Sequence, residues 1–324
     1  MRAFVTGGSG VVGGALLRRL VGDGHRVRAL ARNAPAVAAV ASVGAEPVAG
    51  DLLDAATLAA RLAGSEVVFH VAGVNRMCVR DPGELERVNI DGTRALLAAA
   101  ERAGVRRVVV TSSAAAIGED RHTVGTEASA HRGWFLSHYE RTKYLQEEVA
   151  LDHRGMVEVV CVNPSSVQGP GRATGTGRLI LDVVAGRIPL LPDSPVSMVD
   201  IDDCAAGHVL AAERGEPGRR YILNGFTMTT REAIGLLGRL TGVVPKVAYL
   251  PQRVTDALAA GAGLVEKLVR LPPPVCAEML RTLAFGHTYD GSLARRELGL
   301  DYRPPEVTFD RLVAWFRAEG LLGR

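Results

Sequence analysis

The chain has 324 residues with 38 Lys and Arg against 35 Asp and Glu, a net charge of +3, and its basic residues are scattered rather than gathered on an aromatic-studded stretch, which argues against a nucleic-acid surface. Its length suits one compact two-part unit rather than a string of domains. Cys78, Cys161, Cys204 and Cys276 stand apart, without the paired spacing of a zinc site or a disulfide framework, so no metal and a reducing, cytoplasmic setting are expected.

Met1 leads straight into the short apolar run Arg2 to Thr6, which reads as a strand and leaves no room for a signal peptide. Gly7-Gly-Ser9-Gly10-Val11-Val12-Gly13 follows, then the helical periodicity of residues 15–21. In a strand–turn–helix setting, glycines at 7, 10 and 13 let the backbone turn, let a pyrophosphate approach and let helix pack on strand. The helix N-terminus adds free N–H groups and roughly half a positive charge.

A second strand is predicted over residues 25–31, ending in Ala31 followed by Arg32 and Asn33. A carboxylate at that place would bind the adenosine ribose hydroxyls of NAD, whereas a guanidinium suits a 2′-phosphate. NADP(H) is therefore the expected cofactor, with NAD the alternative if Arg32 stacks on adenine or points to solvent. Asp51 and Leu52, after a third strand, are expected to flank the adenine.

The apolar run 108–113 ends in Thr111, Ser112 and Ser113. Ligands of a doubly wound sheet collect beyond the carboxyl ends of strands, so these hydroxyls are placed to meet a substrate. Downstream, Ser137-His-Tyr139-Glu-Arg-Thr-Lys143 puts a phenol and an ammonium four residues apart, on one helical face. A phenol titrates near ~10, and a cation fixed beside it favours the phenolate. The only other lysines are Lys246 and Lys267, in a chain that otherwise uses Arg.

Strand and helix patterns alternate through residue 165, which argues a Rossmann-type α/β fold, a doubly wound parallel sheet with helices on both faces. Residues 166–195 and 226–285 are rich in Gly and Pro and break that alternation. The organisation expected is a dinucleotide-binding domain over 1–165, with return segments near 196–225, and a smaller substrate-binding lobe made mainly of 166–324. The apolar stretch Ala257 to Val265 falls short of the roughly 20 residues a membrane span needs. It reads as a core or pocket-lining helix, with a membrane-touching lid as the alternative and no stable insertion.

These motifs together resemble the extended short-chain dehydrogenases/reductases, the NAD-dependent epimerase/dehydratase family. The likeness runs nearly end to end, adding Phe69-His-Val71-Ala72-Gly73, Val88-Asn89-Ile-Asp-Gly-Thr93, Asn163-Pro164-Ser-Ser-Val167, Gly169-Pro170 and Asp202-Asp203. Some stretches are similar to the dihydroflavonol reductase-like branch, others to bacterial hopanoid-associated sugar epimerases. The resemblance implies that Tyr139 donates or accepts the proton, that Lys143 lowers the Tyr139 pKa and holds the nicotinamide ribose, and that Ser113 donates to the substrate oxygen. It also implies that Val71, Ala72 and Gly73 cover the cofactor and that Pro164 and Val167 contact the nicotinamide. Asn89 carries no assigned role. The Asn-Trp-Tyr-Cys-Tyr run of cinnamoyl-CoA reductases is absent, and Gly118 stands where plant dihydroflavonol reductases place a polar residue, which speaks against flavonoid and cinnamoyl-CoA substrates.

The leading expectation is an NADP(H)-dependent reductase of a ketone or aldehyde with a Ser-Tyr-Lys triad and a small-molecule carbonyl or alcohol as its partner. The alternative is a nucleotide-sugar epimerase or dehydratase with retained NAD, for which Arg172, Arg178, Arg187, Arg219 and Arg220 are the available diphosphate grips. A dinucleotide-binding redox sensor is the third reading, and a homodimer is a family-level expectation. His138 and His208 read as packing or surface residues. Trp134 and Phe135 either cover a substrate or anchor their loop, and Met77 and Cys78 border the substrate or merely follow the cofactor-covering turn.

Overall fold

The computed structural model describes residues 1–243, 245–269, 271 and 275–322. Its centre is a seven-stranded parallel sheet. The first six strands are β1 (Arg2–Thr6), β2 (Arg26–Ala31), β3 (Glu46–Ala49), β4 (Val67–His70), β5 (Arg107–Thr111) and β6 (Glu158–Pro164), and the seventh is Arg220–Leu223. Across the sheet they run Arg220–Leu223, β6, β5, β4, β1, β2, β3. The order reverses beside β1, where Ala3 faces Val27 of β2 on one side and Val67 of β4 on the other. Such a switch point opens a crevice beyond the carboxyl ends of the strands.

The strands are apolar on both faces because helices cover both. Alternate side chains point opposite ways along a strand. Val5 packs with Leu16, Leu17 and Leu20 of the helix Val11–Gly22, whereas Phe4 packs with Leu58, Leu62, Leu96 and Leu97 on the other side. All nine are buried, at roughly 1.5–3 kcal/mol each for the apolar burial.

The 196–225 stretch contributes to two sheets. Arg220–Leu223 supplies the edge strand beside β6, and the helix Ile201–Arg214 packs on the sheet face next to Val11–Gly22. The residues before that helix do otherwise: Pro195–Asp200 pairs in parallel with Ser166–Gln168 and antiparallel with Phe226–Thr229 in a three-stranded sheet. The place beside β6 is already filled by Arg220–Leu223. A separate core forms around Phe309, Leu312, Val313 and Phe316, packed on Ile180, Leu181, Leu236 and Leu237.

The apolar stretch 257–265 lies within the helix Gln252–Val265. It buries Ala259 and Ala262 but exposes Val254, Leu258, Leu264 and Val265. No helix among the described residues is long and apolar enough to cross a membrane.

One expectation is overturned. Cys78 and Cys276 are joined in a disulfide, with their Cα atoms 6.3 Å apart across 198 residues of sequence. Tertiary folding brings the segment after β4 against the start of the helix Ala277–Phe285, a proximity that cysteine spacing does not encode. Cys161 and Cys204 are free and buried.

Candidate active site

The glycine turn is built by close approach. Gly7 has φ +73°, and a Cβ there would lie 2.6 Å from Ala72 N. On Gly13 it would lie 2.1 Å from Gly7 O, so helix and turn touch through backbone alone. Gly10 differs: its Cβ would meet only Gly7 O, at 3.3 Å, which leaves an open side. The helix beginning at Val11 has no side-chain cap and no acidic residue in its first turn, so its free N–H groups and dipole suit an anion. Ser9 is exposed on the same turn, while Val11 and Val12 are half-buried against the core.

At the end of β2, Arg32 is exposed and takes no ion pair among the described residues. Its neighbour Asn33 is committed as a helix cap, accepting from Ala36 N at 3.0 Å. Asp51 is exposed and accepts from Leu53 N at 2.9 Å, and Leu52 is buried beneath Gly92. Val71 N donates to Thr6 O at 3.3 Å and Ala72 N to Thr6 Oγ1 at 3.2 Å, which fixes the segment 71–73 over the glycine turn. Pro164 ends β6 and Val167 follows it, both buried. These positions surround the crevice and are chemically suited to a dinucleotide.

Tyr139 and Lys143 stand on the helix His138–Leu151, whose first turn is capped by Ser137 accepting from Glu140 N at 3.1 Å. The Ser113 hydroxyl is the side chain that favours the ionised form of the Tyr139 phenol. Burial pushes the phenol pKa up, while the Ser113 hydroxyl and the Arg172 charge pull the other way. The sequence pattern pairs this phenol with Lys143, but the cation acting on it here is Arg172. Lys143 is turned elsewhere, donating to Thr111 O at 2.7 Å and to Gln146 Oε1 at 2.5 Å. Burial lowers its pKa to about 8 against the opposing charge of Glu147.

Behind Lys143 lies a buried polar chain in which every proton direction follows from its neighbours. The Thr93 hydroxyl donates to Asn89 O at 2.6 Å, so it accepts from Gln146 Nε2 at 3.0 Å and from His70 Nε2 at 2.9 Å. His70 Nδ1 must then accept from the Thr6 hydroxyl, 2.8 Å away. The ring is neutral: burial, and secondarily the Lys143 charge, depress its pKa to about 3. Thr6 closes the chain by accepting from Ala72 N. The relay thus runs from the glycine turn to the ammonium.

Asn89 gains a role as a tie. Its Oδ1 accepts from Val74 N at 2.7 Å and its Nδ2 donates to Thr142 Oγ1 at 3.1 Å, joining the covering segment to the Tyr139 helix. His208 is a buried core residue, donating from Nδ1 to Cys204 O at 2.7 Å and accepting at Nε2 from the Thr111 hydroxyl at 2.9 Å. His138 is exposed, and its backbone N donates to Glu278. Phe135 packs between His131 and Tyr144, whereas Trp134 is half-exposed beside Phe285.

Sequence reading passed over His70, Gln146 and Arg172 as neighbours of the reacting groups. The available signals were slight: a histidine closing an apolar strand, and a glutamine three residues beyond Lys143.

Residues 3–223 match the model of the NAD dependent epimerase/dehydratase family. The chain belongs to that family. Sterol demethylase protein B of Methylococcus capsulatus is 34% identical over 99% of this chain and 100% of its own. The 4-hydroxy-2-methyl-3-oxo-4-farnesyl-3,4-dihydroquinoline-1-oxide ketoreductase of Stigmatella aurantiaca is 34% identical over 92% of this chain and 91% of its own. The crystal structure of gox2253 matches with a TM-score of 0.88 and 33% identity, covering 99% of both chains. As a member of the NAD dependent epimerase/dehydratase family, the chain is an NAD(P)-dependent enzyme of the extended short-chain dehydrogenase/reductase type with a Rossmann-type fold.

Proposed function

We propose that the chain is an NADP(H)-dependent reductase of a lipophilic ketone or aldehyde, or equally the dehydrogenase of the matching alcohol. One observation carries the choice over a nucleotide-sugar epimerase. Of the arginines available to grip a diphosphate, Arg178 and Arg187 pair with Asp182, Arg219 with Glu297 and Arg220 with Glu147. Only Arg172 of that set is left without an ion pair among the described residues, and a diphosphate carries more charge than one guanidinium offsets.

In this reading Gly7, Ser9, Gly10, Val11, Val12 and Gly13 hold the pyrophosphate and Arg32 holds the 2′-phosphate. Asp51 and Leu52 flank the adenine, Val71 to Gly73 cover the cofactor, Lys143 holds the ribose, and Pro164 and Val167 border the nicotinamide. When bound, the nicotinamide supplies the hydride or accepts it. Ser113 donates to the carbonyl oxygen, and Tyr139 delivers its proton there as negative charge develops. The raised pKa keeps the phenol protonated at neutral pH, the state that reduction requires.

A groove of about 550 Å³, next to the segment that leads into the Tyr139 helix, supports a lipophilic substrate: Leu136, Trp134, Phe285, Ala259 and Leu264 line it, with Arg121, Asp256, Lys267 and Arg281 at its charged places. Residues 1–165 would bind the nucleotide and the later segments the substrate.

The test combines mass spectrometry for nucleotide carried through purification with a panel of lipophilic ketones under NADPH and NADH. Ready exchange and NADPH-dependent turnover, abolished in Tyr139→Phe with nucleotide affinity intact, is the expected result. Tightly retained NAD with no ketone reduction would overturn the reading.

A further inference from the structure

The helix Gln252–Val265 is apolar on the side that it does not bury. Its inward residues are Thr255, Ala259 and Ala262, all small, and a Cβ on Gly263 would come within 3.8 Å of the Ala277 Cβ, so the helix lies close against its neighbour Ala277–Phe285. The large side chains are outside. Val254, Leu258 and Val265 recur at i, i+4 and i+11, which puts them on one stripe about a quarter-turn around the axis from the buried one. All three are exposed, as is Leu264, and the turn closed by Leu268 N donating to Val265 O adds a leucine that is 89% exposed. Among the described residues, 254–275 hold seven of the fifteen large apolar side chains that are exposed. A surface helix ordinarily turns its apolar stripe to the core and its polar face to water. This one does the reverse, and a contiguous apolar patch of that kind marks a place of contact.

The charges around the patch say what kind of contact. Arg253, Lys267 and Arg281 are exposed beside it and take no ion pair among the described residues. The carboxylates of the same two helices and the turn between them are engaged elsewhere: Asp256 accepts from Arg121 Nη1 at 3.0 Å and Nη2 at 2.7 Å, Glu266 from Ala277 N at 3.3 Å, and Glu278 from Cys78 N and His138 N. The patch is therefore apolar with a free positive rim. In a two-fold dimer through this face, the three cations of one copy would confront the same three of the other with no carboxylate to offset them. A surface of anionic headgroups over hydrocarbon complements both features at once.

We propose that the helix Gln252–Val265 and the turn after it dock the chain on an anionic phospholipid bilayer, with Val254, Leu258, Val265 and Leu268 entering the headgroup–acyl boundary and Arg253, Lys267 and Arg281 meeting lipid phosphates. The contact is peripheral, since 14 residues of helix fall short of the roughly 20 that a span needs. Leu264 and Lys267 also line the groove, so docking sets one wall of the groove against the lipid. Half-exposed Trp134, on another wall of it, has the amphipathic ring that favours such a boundary. The docking does not depend on which reaction the site performs.

The test is flotation of the full chain, loaded with NADPH, with vesicles of phosphatidylcholine alone or with about a third phosphatidylglycerol. Wild type is expected to bind the anionic vesicles about a hundredfold more tightly, near fivefold for each of three cations, and to lose most of that margin in molar salt. The double variant Leu258→Gln with Val265→Gln should bind at least about tenfold more weakly while keeping the wild-type melting midpoint and nucleotide affinity. Arg253→Gln should lose about fivefold on the anionic vesicles and nothing on the neutral ones. Wild type that stays with the unbound fraction overturns the proposal without any variant, as does a double variant that floats like wild type. Equal binding to both vesicles overturns the anionic assignment. If wild type does not float but light scattering finds a dimer that the double variant converts to monomers, the face belongs to a second copy. Tyr139→Phe should float like wild type whatever its turnover, so the docking and the reductase reading fail separately.

Discussion

Gln146 accepts from the Lys143 ammonium at 2.5 Å while its own amide nitrogen donates to Thr93 at 3.0 Å. The amide is thus held from both ends, and the ammonium is oriented by a side chain one helical turn away rather than by the phenol it is expected to assist.

Replacing Gln146 by Leu removes the acceptor and leaves a buried charge short of a partner, at a cost of about 1–3 kcal/mol. Both the denaturation midpoint and nucleotide affinity should fall in Gln146→Leu, whereas Gln146→Glu should keep the ammonium in place. A Gln146→Leu protein with unchanged nucleotide affinity would show that Lys143 orients without it.

The buried Lys143 also sets a pH dependence. Its folded pKa of about 8 lies below the unfolded value of 10.5, so between these limits the unfolded chain binds more protons. The folded state therefore gains stability as pH rises through that window, on the order of 3 kcal/mol in all. Chemical denaturation of wild type and Lys143→Met at pH 7.5, 9 and 10 measures it. The wild-type curve should climb relative to the variant, and parallel curves would contradict the assignment.

Two glycines of the turn should fail differently. At Gly10 a Cβ would meet only Gly7 O, at 3.3 Å, a contact that a shift of a few tenths of an ångström relieves, so Gly10→Val should fold near the wild-type midpoint and lose nucleotide binding. At Gly13 a Cβ would overlap Gly7 O at 2.1 Å, so Gly13→Ala should lower the melting temperature as well. Calorimetric melting and nucleotide titration of both proteins separate the two effects.

Arg32 stands exposed at the end of β2, without an ion pair among the described residues. A charge-assisted contact to a 2′-phosphate is worth roughly 1.5–3 kcal/mol, so Arg32→Ala should weaken NADPH about ten- to a hundredfold and spare NADH. Equal loss for both nucleotides would mean that the guanidinium stacks on adenine.

The Rossmann core was legible because its signals are local. Strand β1, the glycine turn and the helix after it are contiguous in sequence, and the tyrosine and lysine share one helix face by spacing alone. What escaped depends on contacts between distant segments. Cys78 meets Cys276 across 198 residues, and the Arg172 charge acts on Tyr139 from a loop whose glycines looked only irregular. Pro195–Asp200 reads as a sheet strand by its apolar pattern, yet which sheet it joins depends on Arg220–Leu223 holding the edge beside β6. His70 was visible as a residue but not as a neutral link, since its protonation follows from burial among partners drawn from three other elements.

Glu278 accepts from Cys78 N at 2.7 Å with one oxygen and from His138 N at 2.8 Å with the other. A single carboxylate thereby clasps the segment that follows β4 and the first residue of the helix carrying Tyr139. It does so from the helix whose Arg281 and Phe285 line the groove. A displacement of that helix would pull on both backbones together, which ties the seating of the phenol to the position of one wall of the groove.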